Sequence, residues 1–167
     1  MTKDDLWPRR VEALHAAYAD RVLGYLVYAG GRRAEAEDLA QEVWVRVTEA
    51  LREGRYREEG KAEAWLFTIV RNLWMDRRVR RVPAPPLKPS PPAPPDLLEA
   101  RELEDRWRQA VQALPQLQRE VYLLRMVGEL PFREISEQLE RPLGTVLSQM
   151  HEAMKGLKAT LLESSPC

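Results

Sequence analysis

Apolar residues recur at spacings of three and four along most of the chain and never alternate with period two, so the pattern predicts helices and no sheet. Val11, Leu14, Tyr18, Val22 and Tyr25 form the apolar face of a first helix, which Gly30-Gly31 stops. Ala36, Leu39, Val43, Val47 and Ala50 mark a second helix that ends near Gly54. A charged loop from Gly54 to Lys61 leads to a third, marked by Trp65, Leu66, Ile69 and Leu73 and running toward Arg81. Trp65 reads as core, whereas Trp74 lies on the flank of the stripe, where a partner-facing role is open. Further on, Leu103, Trp107, Val111 and Leu114 define the inner face of another helix. Pro115 suits the start of the next, with Leu117, Val121 and Leu124 turned inward. A short helix from Pro131 to Leu139 is broken at Arg141-Pro142. A longer one then opens at Leu143 or Gly144, with Val146, Met150, Ala153, Leu157 and Leu161 inward.

Between these two sets lies Pro83 to Pro95, in which eight of thirteen residues are proline. Proline lacks the backbone N–H and fixes φ, so this stretch reads as an extended spacer. The expected fold is therefore all-α: two small helical domains, residues 1–82 and 96–167, joined by a Pro-rich linker over 83–95. So stiff a linker is expected to hold the domains apart while both touch one long ligand.

Charge sharpens the picture. The chain of 167 residues carries 26 Lys/Arg and 26 Asp/Glu, so net charge points to no polyanion. Its distribution does: residues 1–82 carry 16 basic and 14 acidic side chains, residues 96–167 carry 9 and 12. Arg71, Arg77, Arg78, Arg80 and Arg81 fall within eleven residues, against Asp76 alone. Four arginines just before the linker favour phosphate binding, although a helix C-terminus attracts basic residues anyway. Glu35 to Val47 mixes acids with Val and Trp44; such a helix is either a solvated face or a dock for a basic partner.

Residues 131–158 have the form of a helix-turn-helix, whose second helix offers its N-terminal side chains to base edges in the major groove. The exposed set would be Thr145, Leu147, Ser148, Gln149, His151 and Glu152; an ordinary helical hairpin is the other reading of the same pattern. No catalytic constellation or phosphate-cradling glycine loop is present, so no enzyme activity is expected. Cys167 is the single cysteine and no Cys/His cluster has zinc spacing, so neither metal nor cofactor is expected. No apolar run reaches membrane-spanning length and no signal peptide is visible, which leads to the expectation of a cytoplasmic protein.

Taken together these segments resemble the extracytoplasmic-function class of bacterial sigma factors. Ala36-Glu37-Asp38-Leu39-Ala40-Gln41-Glu42-Val43-Trp44 is similar to that family's core-polymerase-binding helix. Ala64 to Leu73 followed by Asp76-Arg77 is similar to its helix that reads and melts the minus-ten element. Leu114-Pro115, Arg119-Glu120-Val121, Glu134-Ile135 and Gly144-Thr145-Val146 are similar to its minus-thirty-five domain. The resemblance implies sigma region 2 in residues 1–82 and region 4 in 96–167, with RNA polymerase core and promoter DNA as partners. Family members commonly have an anti-sigma factor, so one is expected here. By position it implies polymerase contacts at Asp38, Leu39, Gln41, Glu42 and Trp44. It implies capture of a flipped base by the loop carrying Tyr56, Arg57 and Lys61 together with Asn72, the chain's only asparagine. Arg71 and the arginines at 77–81 would hold phosphates. The chain departs from the family after Gly144-Thr145-Val146, where basic residues are usual and Leu147, Gln149 and Glu152 stand instead. A stand-alone helix-turn-helix regulator and a sigma-like adaptor that binds only proteins are the alternatives.

Overall fold

The computed structural model describes residues 6–57, 59–80 and 94–163. Seven helices follow in order: α1 (Leu6–Ala29), α2 (Arg33–Arg52), α3 (Ala62–Val79), α4 (Pro95–Ala113), α5 (Gln116–Met126), α6 (Phe132–Leu139) and α7 (Leu143–Glu163). No strand occurs among the described residues. Helices α1–α3 pack on one another, and so do α4–α7; that the elements are helices is what the periodicity predicts.

In the first bundle Val22, Tyr25, Leu26 and Ala29 of α1 meet Leu39, Val43 and Val47 of α2 and Leu66, Phe67 and Val70 of α3, all buried. The turn after α1 depends on its two glycines. Gly30 has φ +128, and a Cβ at Gly31 would stand 2.8 Å from the Leu26 carbonyl oxygen. The Gly31 amide instead donates to that oxygen at 3.0 Å. Trp74 lies over the turn, with its ring about 3.4 Å from where a Gly30 Cβ would be. It is therefore 8% exposed and structural, which closes the partner-facing role left open by its place on the helix. In the second bundle α5 forms the centre with Val121, Leu123 and Leu124, against Ile135 of α6 and Val146, Ala153 and Leu157 of α7. Glu140 takes a left-handed φ of 51° to end α6, and the Arg141 amide donates back to the Ser136 carbonyl at 3.1 Å. Leu103, expected on the inner face of α4, is 59% exposed, because only the later part of that helix reaches the core.

The expectation that a stiff linker separates the halves is not what the structure shows. The buried residues of both bundles form one continuous cluster, and α1 packs against α4 and α5 as well as α2 and α3. The physical reason lies at the helix ends, whose last carbonyls have no partner within their own helix. Gln112 Nε2 donates to the Val27 carbonyl and Arg119 Nη1 to the Ala29 carbonyl, both at 3.2 Å, so the second half caps α1. In return Arg21 of α1 donates from Nε to the Val127 carbonyl at 3.0 Å and from Nη2 to the Gly128 carbonyl, capping α5. Cations at helix C-termini also complement the macrodipole.

Phe67 is fully buried with its ring 5.9 Å from that of Tyr25, while Val45 is 55% exposed. Truncating Phe67 to alanine is therefore expected to cost about 3–5 kcal/mol. Val45→Ala should stay within about 0.5 kcal/mol. Urea denaturation followed by circular dichroism checks both.

Candidate DNA-binding and polymerase-docking surfaces

The outer face of α2 begins from its inner one. Ala36, Leu39, Val43 and Val47 point into the bundle, so Asp38, Gln41 and Glu42 must point out or to the flank. Asp38 and Gln41 are exposed, and Glu42 accepts from Arg46 Nη2 at 3.1 Å. Trp44 is half-buried beside His15, ring centroids 4.7 Å apart. Leu39 is 3% exposed and serves the core, so its side chain supports this surface without presenting itself on it.

A cleft of about 560 Å³ opens between the end of α2 and α3, walled by Arg46, Glu49, Ala50, Arg55, Trp65, Ile69 and Asn72. Trp65, Ile69 and Asn72 recur at i, i+4 and i+7, one face of one helix. The Tyr56 ring packs on Trp65 at 4.3 Å between centroids, so the loop does reach this cleft. Arg57 is exposed and is not among the cleft's walls. Lys61 lies at the start of α3 with its Nζ 3.6 Å from Glu137 of α6. The sequence points to Asn72 and Tyr56; it does not reveal Arg46, Glu49 and Arg55, or that Trp65, read as core, exposes one edge here. The i, i+4, i+7 spacing of Trp65, Ile69 and Asn72 was the signal that could have found the wall.

Arg71 follows a different course from Asn72, since successive helix residues are about 100° apart around the axis. Its Nε and Nη2 both donate to Glu120 Oε2 of α5, at 3.0 and 2.9 Å. Glu120 is the buried charged residue of the described chain, and its other oxygen accepts from Gln116 Nε2 at 3.0 Å. Arg77, Arg78 and Arg80 are exposed and in no ion pair among the described residues; Arg81 lies outside them. They share a cleft with Glu35, Asp38 and Trp74, so the arginine strip and the acidic α2 face are neighbours in space. Arg78 also approaches Arg119, whose pKa is lowered first by burial and then by that like charge.

On α7, Leu147, Ser148, His151 and Glu152 are exposed, while Thr145 and Gln149 are half-buried. The Ser148 hydroxyl donates to the Thr145 carbonyl at 2.9 Å. Leu143, Leu147, Met154 and Leu162 are exposed at 41%, 46%, 44% and 65%, so apolar side chains stand among the polar ones on the outer face of this helix, whose lysines, Lys155 and Lys158, come late. His151 stands on the wall of a groove beside Trp107 and Met154, away from the cleft at Asn72.

With this geometry, the comparisons with known proteins are decisive. The family model for sigma-70 region 2 matches residues 14–82, and that for sigma-70 region 4 matches residues 104–157. The chain belongs to the sigma-70 family. It is 29% identical over 148 residues to the ECF RNA polymerase sigma factor RpoE of Cereibacter sphaeroides, covering 84% of this chain and 80% of that one. This places it in the extracytoplasmic-function class, and its function is to direct RNA polymerase to promoters and initiate transcription. Sigma factors as a family are not enzymes. Two solved structures share the fold. One is CnrH in complex with the cytosolic domain of CnrY, with TM-score 0.74, 21% identity and coverage of 98% of this chain and 100% of that one. The other is the sigma factor RpoE in complex with the anti-sigma factor NepR from Bartonella quintana, with TM-score 0.69, 19% identity and coverage of 92% and 98%. No helix among the described residues is long and apolar enough to cross a membrane.

Proposed function

We propose a division of labour in which residues 1–82 carry most of the promoter specificity and polymerase docking, 83–95 tether, and 96–167 make a weaker upstream contact. The observation that carries this reading is the cleft at Asn72. A flipped base would stack against Trp65 and Tyr56, repaying the unstacking energy, while the Asn72 amide both donates and accepts. Arg77, Arg78 and Arg80, exposed at the end of the same helix, hold the flanking phosphates, with Arg57, Lys61, Arg71 and Arg81 adding to the field. Asp38, Gln41, Glu42 and Trp44 dock a basic polymerase surface, with Leu39 as their support. On α7, Thr145, Ser148 and Gln149 can still read bases, but Leu147, His151 and Glu152 bring no phosphate-binding charge. The protein works without metal, cofactor or enzymatic step, in the cytoplasm. An anti-sigma factor is its regulator, a role that fits the sigma–anti-sigma pairing of a structure with the same fold.

Asn72→Ala is expected to lower run-off transcription from a cognate promoter by about tenfold or more with added core polymerase. Gln149→Ala should lower it less, since a bidentate base contact is worth about 1–3 kcal/mol and here lacks flanking cations. A silent Asn72→Ala with an inactive Gln149→Ala would invert the ranking. For docking, Asp38→Lys with Glu42→Lys should weaken core binding by several kcal/mol while helical content is kept. Fluorescence anisotropy against core polymerase reads this, and unchanged affinity removes the assignment.

A further inference from the structure

The cleft at Asn72 holds a carboxylate to which neither polymerase docking nor phosphate binding gives a task. Glu49 lies on its wall, exposed and in no ion pair among the described residues. The two arginines of the wall are engaged elsewhere: Arg46 Nη2 donates to Glu42 at 3.1 Å and Arg55 Nε to Glu53 at 2.5 Å. Glu49 from α2 and Asn72 from α3 are the other polar groups that line the cleft. A negative group beside a DNA strand repels phosphates and so weakens binding to every sequence alike. Only a base that answers it with donors offsets that cost. We propose that Glu49 selects the base captured in this cleft, and that the base is guanine. This rests on the reading of the cleft given above.

Donors and acceptors decide among the bases. An ionised carboxylate only accepts, and it accepts best from two parallel N–H groups. The Watson–Crick edge of guanine presents N1–H and N2–H side by side, next to the O6 acceptor. Adenine offers N6–H beside the lone pair of N1, and cytosine N4–H beside that of N3. Thymine has one N–H between two carbonyls. Guanine alone gives Glu49 two adjacent donors and turns no lone pair toward it. Its O6 is left for an N–H of the Asn72 amide. As a purine it also offers a broad ring to Trp65 and Tyr56, which pack on each other at 4.3 Å between centroids. The other three bases each set a lone pair or carbonyl against the carboxylate, so Glu49 rejects as well as accepts.

The test uses the full chain bound to core polymerase, with fluorescein-labelled oligo-dT strands that carry one central dG, dA, dC or dT, affinity being read by anisotropy. The dG strand should bind about tenfold tighter than the others, the worth of one bidentate base contact. Deoxyinosine, which lacks the N2 amino group, should lose most of that gain. Glu49→Ala should bring the strands to within about twofold of one another, while loss of the charge tightens binding to all of them. The ratio between strands is the reading, because a purely electrostatic role does not move it. Asn72→Ala is the companion variant; both positions are exposed, so circular dichroism should match wild type. A wild type with no preference, or with a preference for another base, overturns the proposal, as does inosine that binds like guanine. If Glu49→Ala keeps the dG preference and Asn72→Ala loses it, Glu49 is not the selector and the cleft reading stands. If neither variant alters binding to any strand, the cleft takes no base and both readings fall.

Discussion

Glu120 organises this molecule. It is a buried carboxylate on the central helix of the C-terminal bundle, and it lies in place only because Arg71 reaches across from α3 and Gln116 from its own helix. Left unpaired, a buried charge would be costly. The two bundles are therefore brought together with their polar groups matched, and the reciprocal capping by Arg21, Arg119 and Gln112 completes the match at the ends of α1 and α5. Apolar contact between α1 and α4–α5 supplies the area; the ion pair and the caps set the register.

That arrangement bears on function through where the basic residues go. The arginines of α3 divide into two populations by helical phase. Arg71 turns toward the other half and is paired there, while Arg77, Arg78 and Arg80 at the exposed end are in no ion pair among the described residues. Helix α7 differs: its first turns expose Leu143, Leu147 and Glu152, and its lysines, Lys155 and Lys158, follow only further along.

Much of this was legible in the amino-acid pattern. The three-and-four spacing found all seven helices, although it marked α4 only from Leu103 when that helix begins at Pro95; Gly30-Gly31 and Arg141-Pro142 gave the turns, and the order of motifs pointed to the family. What the pattern could not give is long-range. Periodicity reports which face of a helix is buried but not against what, so Trp74 read as a flank residue when it closes over Gly30. Leu39 lay within a motif implied to bind polymerase, yet its phase is that of the core. The proline-rich segment suggested separation because stiffness was legible and helix-end carbonyls seeking donors were not. Arg71 and Glu120 are 49 residues apart, and no local signal marks a pairing at that distance.

The central claim is that the two helical halves pack on each other in the free chain, with Arg71–Glu120 and the helix-end caps setting the register. Spin labels at Glu59 and Arg133, introduced as cysteines in a Cys167→Ser background, place one probe beside each side of the seam. Double electron–electron resonance on the free chain should show one short, narrow distance, broadened when Glu120→Gln removes the pairing charge. A long or broad distribution in the unaltered chain would contradict the account.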